Sequence, residues 1–308
     1  MSDRFVSDEV ITKLASEASG LNASGGNLRV KKIVNRLLAD LFRAIDDLDI
    51  QMDEVWAAVA YIGEAAKSNE LGLIVPGIAL EHFLDLRLDE AERRAGVIGT
   101  TTRTIEGPLY IAGAPMSDGY ARLDDGLDDG EVLFMEGQVK DVSGKPVGGA
   151  VVDVWHCNTM GFYSHFGPEQ TPYNLRRRIK TGADGKYSFR SIMPSGYGVP
   201  PGGNTDKLMC LLGRHGQRPA HIHFFITAPG YRQLTTQINI ADDKYLHEDF
   251  AFGTREGLIP EIERVSDSAE FKSKELNRPF AKINFDFAIA KETKGLVDTI
   301  VHRERASV

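Results

Sequence analysis

Apolar residues in the first third of the chain recur at helical spacing. Leu28, Val30, Ile33, Val34, Leu37, Leu38, Leu41, Phe42, Ile45 and Leu48 form one broad stripe. It predicts a helix of about six turns, roughly 30 Å at 1.5 Å per residue. Val10, Ile11, Leu14 and Ala15 predict a shorter helix before it, with Ser7 as cap and Gly20 as stop. Val55, Trp56, Val59 and Ile62 predict a third, and Leu80, Phe83, Leu84 and Leu86 a fourth. Part of this apolar surface serves packing within the chain. A stripe this long exceeds what a small helical layer covers by itself, so a subunit contact is expected.

Residues 100–130 read as loops, with Gly107-Pro108, Gly113-Ala114-Pro115 and the acidic Asp124-Asp125-Gly126 cluster. Beyond them the period changes to that of strands. Val132 to Val139, Val151 to Trp155, Lys186 to Phe189, His221 to Thr227, Leu234 to Ile240 and Ala281 to Ile289 are the candidates. Turns at Ser143-Gly144-Lys145-Pro146 and Asp184-Gly185 punctuate them. Short strands between Gly/Pro turns predict a β-sandwich. The expected fold is mixed α and β: a helical N-terminal layer over 1–100, serving dimerisation, and an all-β sandwich over 101–308.

Composition narrows the partners. Lys+Arg of 36 against Asp+Glu of 44 gives a net charge of −8, which argues against nucleic acid. Two cysteines, Cys157 and Cys210, make no disulfide framework. The charged start Met1-Ser2-Asp3-Arg4-Phe5 leads into no apolar signal core, and no apolar run reaches the roughly 18 residues of a membrane span. A cytoplasmic protein without membrane insertion is the expectation.

Arg218-Pro219-Ala220-His221-Ile222-His223-Phe224-Phe225 is the chemically richest stretch. Side chains alternate along a strand, so His221 and His223 share a face while Ile222 takes the other. Two imidazoles one strand-step apart can pinch a transition metal; alone, they could equally be polar residues on a wet face. Their apolar neighbours point to burial, where imidazoles need partners. Further ligands must come from elsewhere. Tyr197 sits in a Gly/Pro clamp, Pro194-Ser195-Gly196-Tyr197-Gly198-Val199-Pro200-Pro201, and Tyr163 lies in Gly161-Phe162-Tyr163-Ser164-His165-Phe166. Composition and spacing do not separate these two from the other seven tyrosines.

These segments, together with Arg103-Thr104-Ile105-Glu106-Gly107-Pro108-Leu109-Tyr110, Asp153-Val154-Trp155-His156, Gly213-Arg214-His215 and Leu234-Thr235-Thr236-Gln237-Ile238-Asn239, carry a resemblance over nearly the whole chain. The sequence resembles the intradiol ring-cleavage dioxygenases. That resemblance implies one non-haem Fe(III) per chain on Tyr163, Tyr197, His221 and His223, and cleavage of catechol by dioxygen to cis,cis-muconate. Phenolates are hard anionic donors that favour ferric iron, so the metal is expected to activate the organic substrate. The resemblance makes Tyr197 the ligand that leaves and takes a substrate proton. It makes Arg218 a fixed charge for the developing anion and Gln237 a catalytic neighbour that hydrogen-bonds substrate or peroxide. It places Leu73, Pro76, Ile105, Pro108, Leu109, Phe250 and Ala251 around the ring, and gives His156, His165 and His215 structural roles. It also implies a homodimer through the N-terminal helices, with a phospholipid in an apolar tunnel there. Hydroxyquinol and chlorocatechol substrates are the alternatives within the family. Outside it stand a metal-free transthyretin-like binding module, suggested by the Gly144 to Val152 segment with Asp184-Gly185-Lys186-Tyr187, and a zinc hydrolase, which lacks an H-E-x-x-H motif here.

Overall fold

A computed structural model describes residues 5–167 and 170–302; Met1 to Arg4 of the charged start lie outside them. The chain divides into two compact units, Met1–Lys67 and Ser68–Val308. The first holds three helices, α1 (Asp8–Ala18), α2 (Leu28–Asp47) and α3 (Met52–Lys67). Ser7 caps α1 by accepting from the Val10 amide, and Gly20 follows its end at φ +62°, as the sequence predicts. Asn27 caps α2 through the Arg29 and Val30 amides. Ile33, Leu37 and Leu41 on α2, and Trp56, Val59 and Ile62 on α3, are solvent-exposed, an apolar surface that a monomer leaves wet.

The second unit opens with α4 (Leu71–Gly77) and α5 (Leu80–Arg94) and continues into the strands. The sequence pattern grouped residues 68–100 with the helical layer, whereas the contacts group them with the sandwich. Charge explains this. Buried Glu92 of α5 pairs with Arg103 and with Arg232 Nε (2.8 Å), and Arg103 Nε also reaches Asp89 (2.6 Å). Each partner supplies the counter-charge that the other needs out of water.

The strands are β1 (Met116–Asp118), β2 (Tyr120–Arg122), β3 (Val132–Asp141), β4 (Val151–Trp155), β5 (Arg176–Lys180), β6 (Lys186–Ile192) and β7 (Tyr197–Gly198). After helix α6 (Asn204–Leu211) come β8 (Gln217–Arg218), β9 (His221–Thr227), β10 (Leu234–Asn239) and β11 (Glu263–Val265). Helix α7 (Ser268–Ser273) precedes β12 (Phe280–Asn284) and β13 (Phe287–Ile289). One sheet runs β1-β5-β4-β9-β10 and the other β11-β12-β3-β6-β2, with β13 beside β3. Between them Leu133, Met135, Val152, Val154, Phe189, Ile222, Phe224, Ile226 and Phe287 form the core.

The stretch expected as one strand over 281–289 is two strands, both parallel to β3. At the break the Phe285 carbonyl turns into the sheet and accepts from Tyr187 Oη at 2.7 Å. It lies so close to Gly137 that a Cβ there would sit 1.8 Å away, so only glycine fits.

Candidate metal centre and ring pocket

Strand β9 positions the histidine pair as the alternation predicts. Ile222, Phe224 and Ile226 enter the core between the sheets, and His221 and His223 point together to the opposite side, each 1% exposed. His223 pairs across the sheet with Gln237 on β10 and Trp155 on β4. The Trp155 indole stacks on the His223 ring at 4.9 Å with a 7° interplanar angle. That contact fixes the imidazole plane.

Two glycines admit the tyrosines. A Cβ on Gly161 would lie 2.8 Å from the Tyr197 Cβ, so this residue lets the Tyr163 loop and Tyr197 meet. A Cβ on Gly196 would lie 2.7 Å from the Arg218 carbonyl oxygen, where Tyr197 of β7 pairs with Arg218 of β8. The Tyr163 and Tyr197 rings meet edge to face at 5.6 Å. The Gly/Pro clamp seen in the sequence therefore has a geometric cause: it lays the Tyr197 backbone directly against the strand that leads to the histidines.

The polar atoms converge on His221 Nε2. It lies 3.0 Å from His223 Nε2, 3.1 Å from Arg218 Nη1 and 3.4 Å from Tyr163 Oη. His221 Nδ1 is 2.6 Å from the Pro219 carbonyl, which can only accept, so that nitrogen carries the proton and Nε2 presents its lone pair. Burial, reinforced by Arg218, pushes the His221 pKa down to about 3, and burial and His221 hold His223 well below the imidazole range. Burial raises both tyrosines, Tyr163 well above the ordinary phenol value. Two neutral imidazoles and two phenols thus share one small space. His223 Nδ1 is buried without a hydrogen-bond partner among the described residues. This donor set fits ferric iron: lone pairs converge where a cation would satisfy them, and phenols give up their protons to a trivalent ion. No group of three or more His, Cys, Asp or Glu among the described residues is placed to hold a metal.

Arg218 is 3% exposed and held on three sides. Its Nε and Nη2 reach the Asp249 carboxylate at 3.1 and 3.0 Å, and Nη2 also reaches Gln237 Oε1 at 2.9 Å. Burial opposes its charge, but Asp249 and the tyrosines hold the guanidinium protonated more firmly than usual. Gln237 Nε2 donates to Asn239 Oδ1 at 3.1 Å, so its amide is oriented from both ends.

Ile105, Phe250 and Ala251 cluster with Val199 and Met209, and Leu73 packs against them. Pro76 is buried in α4, and Pro108 faces the same helix at Gly72. Leu109 packs elsewhere, with Trp155, Cys157, Tyr163 and Phe225 on the ligand side. Between these groups Gly107 passes His223, where a Cβ would be 3.7 Å from Cε1. The segment 105–109 therefore runs from the Ile105–Phe250 cluster to the histidine pair. A surface cavity of about 1020 Å³ beside Tyr120, Phe134, Arg190 and Lys282 lies on the outer face of the other sheet and touches none of these residues.

The remaining histidines named from the sequence are engaged elsewhere. His156 Nε2 meets Ser191 Oγ at 2.7 Å, His165 Nε2 accepts from the Tyr173 amide, and His215 Nδ1 accepts from the Gln217 amide. Sequence reasoning missed Asp249, Trp155 and Arg176. Arg176 is 1% exposed; its Nε donates to Ser164 Oγ at 2.9 Å, and its guanidinium carbon lies 5.6 Å from the Tyr163 ring centroid. In the run Arg176-Arg177-Arg178 nothing marked it as buried, though a buried Arg218 did call for a carboxylate such as Asp249.

A dioxygenase family model matches residues 105–290, and a catechol dioxygenase N-terminus model matches 27–96. The chain belongs to the intradiol ring-cleavage dioxygenase family. Within it, the chain is 57% identical over 257 residues to catechol 1,2-dioxygenase 2 of Acinetobacter lwoffii, covering 83% of this chain and 94% of that one. It is 49% identical over 294 residues to catechol 1,2-dioxygenase of Acinetobacter baylyi, 94% of each. The crystal structure of wild-type Acinetobacter radioresistens catechol 1,2-dioxygenase superposes with a TM-score of 0.93 at 48% identity, over 99% of this chain and 100% of that one. Relatives named for hydroxyquinol and chlorocatechol are more distant, at 32% over 275 residues and 33% over 237.

Proposed function

We propose that this chain is an intradiol dioxygenase that cleaves catechol with dioxygen to cis,cis-muconate in the breakdown of aromatic compounds. Tyr163, Tyr197, His221 and His223 would hold one Fe(III) per chain. The observation that carries the proposal is the meeting of both imidazole Nε2 atoms and the Tyr163 hydroxyl in a buried site of a chain from this family. Identities near 50% with catechol 1,2-dioxygenases, against 32–33% for the hydroxyquinol and chlorocatechol relatives, favour unsubstituted catechol.

Ferric iron, when bound, supplies Lewis acidity, drawing the two catechol oxygens into the anionic form that makes the ring reactive toward dioxygen. The chain's own residues do the rest. Tyr197 sits in the short strand β7 and can take a proton from the substrate hydroxyl at its Oη. Arg218 holds a fixed positive charge beside His221, where the cleaving ring becomes most negative. Asp249 and Gln237 fix the plane of that guanidinium, and Gln237 thereby acts through Arg218. Leu73, Pro76, Ile105, Pro108, Phe250 and Ala251 exclude water around the ring, and Leu109 backs the Tyr163 side. Electrostatic stabilisation in such a dry site is worth more than in water.

By the same reading the dimer contact lies on the exposed apolar faces of α2 and α3, with a phospholipid bound there. No helix among the described residues is long and apolar enough to cross a membrane. A cytoplasmic enzyme of diffusible substrates fits that observation. Metal analysis with a visible spectrum tests the proposal. Tyrosinate-to-iron charge transfer colours the protein red. A colourless protein that takes zinc, or no metal at all, would instead support the hydrolase or the transthyretin-like module.

A further inference from the structure

The ring pocket is built from two segments far apart in sequence, and one side chain joins them. One wall is α4, with Leu73, Pro76 and Gly77; the other is the loop carrying Phe250 and Ala251. Arg214, just beyond α6, donates from Nη1 to the Gly77 carbonyl at 2.6 Å and from Nη2 to the Phe250 carbonyl at 2.8 Å. Its guanidinium carbon also lies 4.7 Å from the centroid of the Phe252 ring. Each wall thus receives one charge-assisted bond from the same rigid plane.

The two walls so joined pack closely. A Cβ at Gly77 would lie 3.3 Å from Phe250 Cε2 and 3.4 Å from Met209 Cε, with Met209 itself fully buried. At the other end of the same helix pair, Glu70 accepts from the Asn204 and Thr205 amides at 3.0 and 2.8 Å. Glu70 therefore ties α6 to the start of α4, and Arg214 ties the far end of α4 to the Phe250 loop. Lysine, with one compact ammonium, cannot offer two coplanar donors to two separate carbonyls. Arg214 touches none of the four proposed iron ligands.

We propose that Arg214 is a specificity-determining positioning residue that sets the width of the ring pocket and so the discrimination between catechol and ring-substituted catechols. This rests on the catechol reading above. The test compares the iron-loaded wild type with Arg214→Lys and Arg214→Met on catechol and on a ring-methylated catechol. In both variants KM for catechol should rise more than kcat falls. The preference for catechol over the methylated ring, as a ratio of kcat/KM, should drop about tenfold, the scale of one methyl group in a shaped apolar pocket. Iron per chain and the charge-transfer band should match the wild type. A general loosening of the fold would lower the melting temperature and leave the ratio alone. An unchanged ratio in variants that keep iron and colour overturns the proposal, as does loss of iron from both. A wild type that cleaves no catechol overturns the catechol reading and this inference with it, whereas an unchanged ratio overturns this inference only.

Discussion

Asp249→Asn is the sharpest perturbation of the site, because it keeps shape and removes charge. The carboxylate accepts four bonds: Arg218 Nε and the Ala251 amide at Oδ1 (3.1 and 3.0 Å), Arg218 Nη2 and the Gly253 amide at Oδ2 (both 3.0 Å). Asparagine can keep the first pair. At the second it presents an amide NH2 to two donors, so the buried Gly253 N–H loses its acceptor. Arg218, wholly enclosed, is left without its counter-charge. Breaking a buried ion pair in this way costs about 3–5 kcal/mol. At roughly 2–4 °C per kcal/mol for a unit of this size, the melting temperature should fall by about 6–20 °C. Thermal unfolding followed by circular dichroism, with iron measured on the same samples, reads this directly. Turnover should fall with it, since the guanidinium plane is no longer held. In an Arg218→Met background the same substitution should cost much less, because no buried cation remains to be orphaned. A loss below about 1 kcal/mol in the wild-type background, or equal losses in both, would refute the reasoning.

The other predictions follow from the same geometry. Tyr197→Phe should lose part of the charge-transfer colour and most of the turnover while keeping the fold; wild-type activity in the iron-loaded variant would remove Tyr197 from the ligand set. His221→Ala and His223→Ala should each lose iron, read as metal per chain, and full occupancy in both would exclude the histidine pincer. Burial would raise the Asp249 carboxyl, but Arg218 and its hydrogen bonds hold it below the usual range, so its stabilisation is complete above the ordinary aspartate value of about 3.9 and is lost as pH falls through the lower folded value. The gap in stability between wild type and Asp249→Asn should accordingly shrink in acid denaturation below about pH 4, and a gap that widens there would contradict the pairing. Leu37→Glu places a charge on the exposed α2 face and should convert a dimer, seen by light scattering, to a mass near 33.9 kDa. A wild type already at that mass would refute the dimer.

What the sequence made legible followed its periodicities. The histidine face of β9, the α2 stripe and the Ser7 and Gly20 signals all rest on local spacing, which the backbone enforces whatever the surroundings. Strand β5 escaped because Arg176 to Lys180 reads as a charged surface, whereas Arg176 folds inward to serve Ser164 and the Leu109 carbonyl. Helix α6 escaped because its eight residues carry no strong apolar stripe and its amino-terminal amides are met by Glu70, far away in sequence. Asp249 escaped for the same reason. A carboxylate that neutralises an arginine 31 residues earlier is fixed by topology, and nothing in its own neighbourhood announces the pairing. The tyrosines stood out from the others only through family resemblance. The close approaches at Gly161 and Gly196 that bring these two segments together are long-range, so local spacing does not announce them.

Intradiol cleavage at a tyrosinate–histidine iron site is tested most directly by following oxygen and carbon together. Ferric-loaded protein is given catechol in an oxygen electrode, and the product is identified by mass spectrometry and nuclear magnetic resonance. The expected result is equimolar consumption of dioxygen and catechol, with cis,cis-muconate as the product, the bond between the two hydroxylated carbons having broken. No oxygen uptake by the iron-loaded protein, or a product opened outside the two hydroxyls, would contradict it.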